Sequence, residues 1–539
     1  MKKRVSLLLA LAMLLSLNCA ALASEAPEDA PVIVLYQNSG ASHSGTGSEA
    51  GSTDAGYQLV QDYIYEQTGV WVDAIPSPAT NATEQLNMML AGGEQIDLFW
   101  GDWRSYYDTG IIQPWNDYLE DYPLIWDTWE SWDAWAGVMD ADGNYWGMPR
   151  MTPTTPYQIF FRAEWLDELG MEIPSTMEEL NEYLYAVKEQ DLAGNGNTIP
   201  LLCRMLGQLE YCFVGGYVEN GNGMWLDEDG SVKPVYLADG YTDFLQQMIT
   251  WYADGIIHPE SFSWDTNTLR GYIAQGVAGA TATWYSDITT RDEITTTNLT
   301  TADPNYSLEK YPYAYIINEA GITGPNGNYI ETRTNVSSNC LMLSSQCENP
   351  EAAMEVISWQ YESWENYQTA TFGLEGYHWR YDPDDPDAET LTFKTIGWED
   401  ENGTPMYMTI DGELSYDNTL AYFSDFTTSI GLPTEVLGAS YIFGRQQQHS
   451  LWLQQHLDDF DVTNEPGCEY GIIWNTVELR ENAPASADIE TYIAEQIPRF
   501  IIGERDIAEW DAFIDELYAI GLQSVIDEYT RQYNEMTAA

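Results

Sequence analysis

The sequence predicts an α/β protein built on parallel sheet, and three observations carry that expectation. Between residues 31 and 100 apolar runs alternate with helical periodicity in the order β-α-β-α-β, the pattern of a parallel sheet with right-handed crossovers. The runs themselves, such as Pro31 to Tyr36 (PVIVLY) and Ile96 to Trp100 (IDLFW), are continuous rather than alternating, as suits strands buried on both faces. A second series opens at Tyr157 with strand, helix, helix cap, helix and polar loop.

Each element has its own signal. After Pro31 to Tyr36 comes a small-residue loop, Asn38 to Gly56, in which Asp54 is placed to cap a helix. That helix carries Leu59, Val60, Tyr63 and Ile64 on one face and stops at Gly69. Trp71 to Ile75 is the next strand, and Asn81 with Glu84 has the spacing of a cap for a helix ending at Gly92-Gly93. Asn116 to Tyr122 reads as helix, and Asp142 to Pro149 as a hairpin turn entering a strand. In the second series Tyr157 to Phe161 is the strand and Gly170 the helix stop. Thr176 and Glu179 then make a capping-box pair before Leu180, Tyr183, Leu184 and Val187. Trp225 to Val232 is a hairpin, Phe244 to Gly255 a helix, and Gly276 to Trp284 a strand expected to return the chain to the first β-α series. Cys340 to Leu343 is a further strand, and Asn349-Pro350-Glu351 starts a helix with Pro early and an acid at its positive end.

Composition narrows the function classes. Hydrophobic residues make up 44% of the 539, which excludes a disordered chain. The net charge of -65 arises from 85 acids against only 20 Lys and Arg, with charged residues at 19%. Such a surface repels polyanions, so nucleic acid and anionic membrane surfaces are poor partners. Lys2, Lys3 and Arg4 followed by the apolar Val5 to Leu17 read as an export signal, with residues 1–23 removed at Ala21-Leu22-Ala23 and Ser24 first in the mature chain. Lipidation at Cys19 is the alternative, which Asn18 and Ser16 fit poorly. No later stretch approaches the ~20 apolar residues of a membrane span. Cys203, Cys212, Cys340, Cys347 and Cys468 form no Cys-x-x-Cys pair, so they read as buried apolar residues rather than a zinc or redox motif. A Cys203–Cys212 bridge stays open.

Catalytic signatures are sparse. The five histidines include no His-Glu-x-x-His, and neither a Gly-x-Ser-x-Gly elbow nor a P-loop occurs. Among 85 acids a carboxylate pair carries no information about glycoside hydrolysis. The expectation is therefore a protein that is not an enzyme and uses no cofactor. Asp191 to Asn197 matches a calcium loop only in part: Asp191, Asn195 and Gly196 fit, whereas Ala193 cannot ligate and the twelfth position is Leu202. A structural turn is the better reading, and no metal is expected.

Several ordered motifs resemble solute-binding proteins of ABC importers, in the family 1, oligosaccharide-importing class. They include Gly110-Ile111-Ile112-Gln113-Pro114, Asp142-Gly143-Asn144-Tyr145-Trp146-Gly147-Met148-Pro149, and the series from Tyr157 to Pro200. Ile256-Ile257-His258-Pro259-Glu260, Asn349-Pro350-Glu351-Ala352, Gly373 to Tyr381 and Phe500-Ile501-Ile502-Gly503 continue the pattern. The resemblance implies a two-lobed, type II periplasmic-binding-protein-like fold, each lobe a mostly parallel sheet flanked by helices, closing on ligand by hinge motion. Lobe 1 would take residues 31–150 and 272–345, and lobe 2 residues 151–271 and 346–504. Residues 505–539 would add C-terminal helices. It further implies an exported protein at the cell envelope that captures a carbohydrate, a neutral oligosaccharide being the first expectation, and passes it to ABC permease subunits. A secreted glycoside hydrolase and a peptide-binding or adhesive surface protein are the rivals.

Sugars present flat C–H faces ringed by hydroxyls, so a site needs aromatic platforms beside carboxylates, amides and a few bases. The count of 21 Trp and 37 Tyr supplies platforms at strand ends. The candidates are Trp100, Asp102, Trp103, Trp146, Arg150, Trp284, Tyr285, Tyr377, Trp379 and Arg380. Taken singly, each Trp reads equally well as core. Arg162 reads as a structural residue at a strand end.

Overall fold

The computed structural model describes residues 26–38, 55–78, 81–130, 134–140, 142–149, 157–218, 223–284, 287–288, 292–311, 313–318, 320–330, 339–363, 365–366, 369–370, 374, 396–399, 405–408 and 474–537. In chain order the elements begin β1 (Val32–Gln37), α1 (Ala55–Thr68), β2 (Trp71–Pro76), α2 (Ala82–Gly92), β3 (Leu98–Asp102), β4 (Ile112–Gln113), α3 (Asn116–Leu119) and α4 (Pro123–Glu130). Next come β5 (Tyr157–Arg162), α5 (Ala163–Leu169), α6 (Met177–Gln190), β6 (Ile199–Leu202), α7 (Leu206–Phe213), β7 (Met224–Leu226), β8 (Val232–Pro234), α8 (Asp239–Ala253), α9 (Thr266–Gln275) and β9 (Ala278–Trp284). The chain closes with α10 (Asp292–Ala302), β10 (Tyr315–Ile317), β11 (Asn339–Ser344), α11 (Pro350–Glu362), β12 (Ile396–Glu399), β13 (Pro405–Met408), α12 (Thr476–Asn482), α13 (Ser486–Ile501), α14 (Trp510–Ile520) and α15 (Leu522–Thr537).

These elements form two compact units, one from residues 1–151 and 337–436 and the other from 152–336 and 437–539. The first unit holds a five-stranded sheet in the order β2-β1-β3-β11-β4. Strands β1, β2 and β3 run parallel, joined by α1 and α2, while β11 runs antiparallel to both β3 and β4. Asn81 does not cap α2; it sits in the left-handed region at φ 64° with no side-chain cap bond. An asparagine tolerates that conformation, so the spacing with Glu84 marks a helix start of a different kind. Helix α11 belongs to this unit and not to the second, and packs on α1 and α4, with Trp129 Nε1 donating to Tyr361 Oη at 3.1 Å.

The second unit is built on a mixed sheet, β10-β5-β9-β6, in which only β6 and β9 run parallel. Strand β9 therefore does not return the chain to the first unit. It lies at the centre of the second sheet, with Tyr157 opposite Trp284 and Leu201 opposite Ala280. Its small side chains (AGATATW) allow that position, since a Cβ at Gly279 would overlap Val187 Cγ1 at 2.6 Å and press on the Pro200 carbonyl at 3.2 Å. Thr176 caps α6 by accepting from Glu179 N at 3.2 Å, and Glu179 reaches back to Ser175 N at 2.8 Å, one residue before the reciprocal partner of a standard box. Behind that cap Leu180, Tyr183, Leu184 and Val187 are all buried. Arg162 is buried too, donating to the Gly276 carbonyl and to Glu164 Oε2 at 3.2 Å, with its guanidinium over the Trp165 ring. Helices α12 to α15 join the same core, where Trp510 stacks on Tyr241 at 5.7 Å.

Cys203, Cys212, Cys340 and Cys347 are buried free thiols, so Cys203 and Cys212 are not bridged. The export segment, Cys19 and Cys468 lie outside the described residues. Among the described residues no helix is long and apolar enough to cross a membrane.

Candidate functional site

In open sheets ligands gather beyond the carboxyl ends of the strands, which makes that edge of each unit the candidate site. In the first unit the edge is set by an amide clamp: Asn38 Nδ2 donates to the Trp100 carbonyl and Asn38 Oδ1 accepts from Trp100 N, both at 2.8 Å. Trp100 is 2% exposed and its ring belongs to the core. Asp102 ends β3 and caps the following 3-10 turn, accepting from Arg104 N at 3.2 Å. Trp103 is 5% exposed, its indole donating to the Gly137 carbonyl at 2.9 Å. Both of these sequence-selected platforms are thus buried walls, and for Trp103 the Gly137 carbonyl replaces the bond its indole would make to water.

The exposed place goes to a residue that the sequence reading passed over. Tyr107 is 40% exposed and stands edge-on to Trp103 at 5.3 Å and to Trp146 at 5.8 Å. Trp146 is half-buried, and its indole donates to Asp140 Oδ2 at 2.7 Å. Burial alone would raise the Asp140 carboxyl, but bonds from Asn144, Trp146 and Asp142 hold it below the usual carboxylate range. The turn is therefore pinned by an ionised carboxylate, and Trp146 is held in one orientation.

In the second unit the same edge carries half-exposed rings. Strand β5 begins where β9 ends, which sets Tyr157 against Trp284 at 5.1 Å, edge-on. Helix α7 starts just past β6 and brings Tyr211 flat against Tyr157, with centroids 4.8 Å apart and planes 12° from parallel. Beneath them runs a hydrogen-bonded chain. Arg204 N donates to Gln208 Oε1 at 2.6 Å, Gln208 Nε2 to Thr283 Oγ1 at 3.2 Å, and Thr283 Oγ1 to Asp287 Oδ2 at 2.9 Å. Arg270 Nε closes the chain on Asp287 Oδ1 at 2.6 Å. Burial first, and then the charges of Tyr211, Cys212 and Asp287, push the Tyr157 hydroxyl up to about 12, with Arg204 opposing. It stays a neutral donor at any physiological pH. Arg204 Nε is itself buried with no hydrogen-bond partner among the described residues. Sequence reasoning missed Tyr211 and Arg204, although a base directly after the apolar run Ile199 to Cys203 in a chain with 20 bases was a usable signal.

Next to Tyr211 on α7 lies Glu210, whose Oε1 accepts from the buried Tyr241 hydroxyl at 2.6 Å. Burial pushes its carboxyl up to about 7, and the Tyr241 bond only partly offsets that.

Arg150, Tyr285, Tyr377, Trp379 and Arg380 lie outside the described residues. In the Asp191 loop both carboxylate oxygens are engaged, Oδ2 by Gly196 N and Oδ1 by Thr198 Oγ1, each at 2.8 Å. Asp191, Gly194, Asn195 and Gly196 all have positive φ, so the loop is a tight turn closed on its own aspartate.

The sequence profile of the bacterial extracellular solute-binding protein family matches residues 49–363. The fructooligosaccharide ABC transporter substrate-binding protein FusA of Streptococcus pneumoniae is 21% identical over 523 residues, covering 90% of this chain and 88% of FusA. A human-milk-oligosaccharide (HMO) binding, ABC-transporter-associated solute-binding protein from Bifidobacterium longum infantis superposes with a TM-score of 0.65 at 17% identity, over 95% of this chain and 100% of that one. The alginate-binding protein AlgQ2, solved without calcium ion, superposes with a TM-score of 0.58 at 19% identity, over 96% and 99% of the two chains. These structures share the fold, that of two-lobed α/β solute-binding proteins.

Proposed function

The chain belongs to the bacterial extracellular solute-binding protein family, and from that premise we propose that it captures a neutral oligosaccharide for an ABC importer. The observation that carries this reading is the Tyr157–Tyr211–Trp284 cluster, three half-exposed rings anchored over a polar chain at a strand-end edge. Ring faces match the C–H face of a pyranose or furanose, and the Tyr157 hydroxyl supplies a donor that does not ionise. In the first unit Tyr107, Trp146 and Asp102 serve as the corresponding contacts, with Trp100 and Trp103 behind them. FusA and the Bifidobacterium protein, named for fructooligosaccharides and human milk oligosaccharides, support the ligand class. The N-terminal signal directs export, permease subunits receive the ligand, and the bound saccharide leaves unchanged.

A calorimetric panel of neutral oligosaccharides tests the reading. At least one should bind with micromolar affinity and be recovered intact after prolonged incubation. Hydrolysis of the bound sugar, or binding of peptides alone, overturns it.

Arg204 favours a second reading. Its buried Nε lacks an acceptor among the described residues. A carboxylate-bearing sugar would satisfy it by a charge-assisted bond. Uronic oligosaccharides outcompeting neutral ones of equal length, with the preference lost in Arg204→Gln, would establish that reading instead.

A further inference from the structure

On the first unit a cavity of about 340 Å³ opens beside α3 and α4, lined by Asn116, Leu119, Glu120, Pro123, Trp126 and Tyr145. Its size falls at the lower end of the ~300–1,000 Å³ of small-molecule sites. Two of its walls are aromatic and fixed. Trp126 stacks on Trp135 at 5.0 Å and 16°, and Tyr145 stands edge-on to both, at 5.3 Å and 5.2 Å. Trp135 is tied in turn to the Trp126 carbonyl through its indole at 3.2 Å. The corner is rigid before any ligand arrives.

Its polar chemistry is one-sided. The Asn116 amide is already committed, donating to the Gly143 carbonyl and accepting from Tyr145 N, both at 2.8 Å. Among the lining side chains that leaves the Glu120 carboxylate as the charged group. The surrounding sequence reinforces its sign: residues 105–149 contain nine Asp and Glu and no Lys, Arg or His. The Tyr145 phenol is pushed up, by burial first and then by the charge of Glu130.

The lining holds a carboxylate and two rings but no Lys, Arg or His, so an anion would be repelled. Aromatic faces attract a cation through their quadrupole, most strongly where water is partly excluded, and a carboxylate at the rim adds Coulombic attraction. We infer that the Trp126–Tyr145 corner, with Glu120 at its rim, is a binding site for a small organic cation with an alkyl shell, of the quaternary-ammonium type. The alkyl groups lie against Leu119 and Pro123 while the positive centre faces the indole and phenol. This site is separate from the saccharide reading and does not depend on it.

Choline and its uncharged isostere 3,3-dimethyl-1-butanol differ at the site only in charge, so they are the probes. Ligand-observed NMR and calorimetry on the full mature chain at low ionic strength should show choline binding at least tenfold more tightly than the isostere. Affinity should fall several-fold at 0.5 M NaCl and about fivefold in Glu120→Gln, a change at an exposed position that leaves the core intact. Trp126→Leu should abolish choline binding, with a circular dichroism melt confirming the fold. Saccharide binding should be unchanged in Glu120→Gln. Equal binding of the isostere, absence of choline binding at millimolar concentration, or capture of lysyl peptides without choline would each overturn the assignment.

Discussion

The carboxyl edges of the two sheets use aromatic residues in opposite ways. In the first unit, Trp100 and Trp103 turn inward, one held by the Asn38 clamp on its backbone and the other by the Gly137 carbonyl. What reaches solvent there is Tyr107, with Trp146 half-buried beside it. In the second unit the strand-end rings themselves stay half exposed, because Tyr157 and Trp284 face each other across an antiparallel pair and Tyr211 stacks on the first of them. Both tryptophans lie on a central strand with one parallel and one antiparallel neighbour, so strand direction does not separate them. The difference is the residue opposite: Leu341, inside β11, beside Trp100, and Tyr157, the first residue of β5, beside Trp284.

That contrast can be broken by substitution. Trp100→Ala removes a fully buried indole and should cost about 3–5 kcal/mol of stability, read as a lowered midpoint in chemical denaturation. Trp284→Ala should lower stability far less while weakening saccharide binding. If Trp100→Ala proved as mild as Trp284→Ala, the division into wall and platform would fail.

Glu210 sharpens the comparison through pH. Its folded-state value of about 7 lies above the ~4.3 of an unfolded glutamate. The folded chain thus retains a proton that the unfolded chain gives up. The stabilisation is complete below the unfolded value and is lost as pH rises through the folded one. Glu210→Gln should therefore melt above the parent at pH 8 by the equivalent of about 1–3 kcal/mol, and match it at pH 4. A variant that is equally displaced at both pH values would show that burial of Glu210 is not the cause. The smallest expected effect is at the cap of α6, where Thr176→Ala should cost about 1 kcal/mol with saccharide affinity untouched.

Much of this architecture was legible in the sequence, and the failures have physical reasons. The Thr176–Glu179 spacing located a helix start, since cap bonds are local and the residues that form them are few. The apolar runs β1, β2, β3, β5 and β11 were readable because a strand buried on both faces has no polar alternation to blur it. Where β9 pairs was not readable: a run of Ala, Gly and Thr suits the middle of any sheet, and pairing is decided by distant partners. The orientation of Trp100 was hidden for the same reason, since its burial follows from Asn38 and from β11, more than two hundred residues downstream. Tyr211 was missed because a tyrosine in a short amphipathic helix looks like any other until β5 is set beside it. The Asp191 loop reads as a turn from the absence of ligands at its later positions, and in the structure both aspartate oxygens accept bonds from within the loop.

The Tyr157–Tyr211–Trp284 cluster is the centre of the account, and its most direct test is calorimetry of the oligosaccharide identified from the panel against Tyr211→Ala and Trp284→Ala. Each variant should keep a cooperative melt and lose about 10- to 100-fold in affinity, as expected for removing one stacked ring from a sugar face at about 1–3 kcal/mol. Full affinity in both variants, with the fold intact, would contradict it.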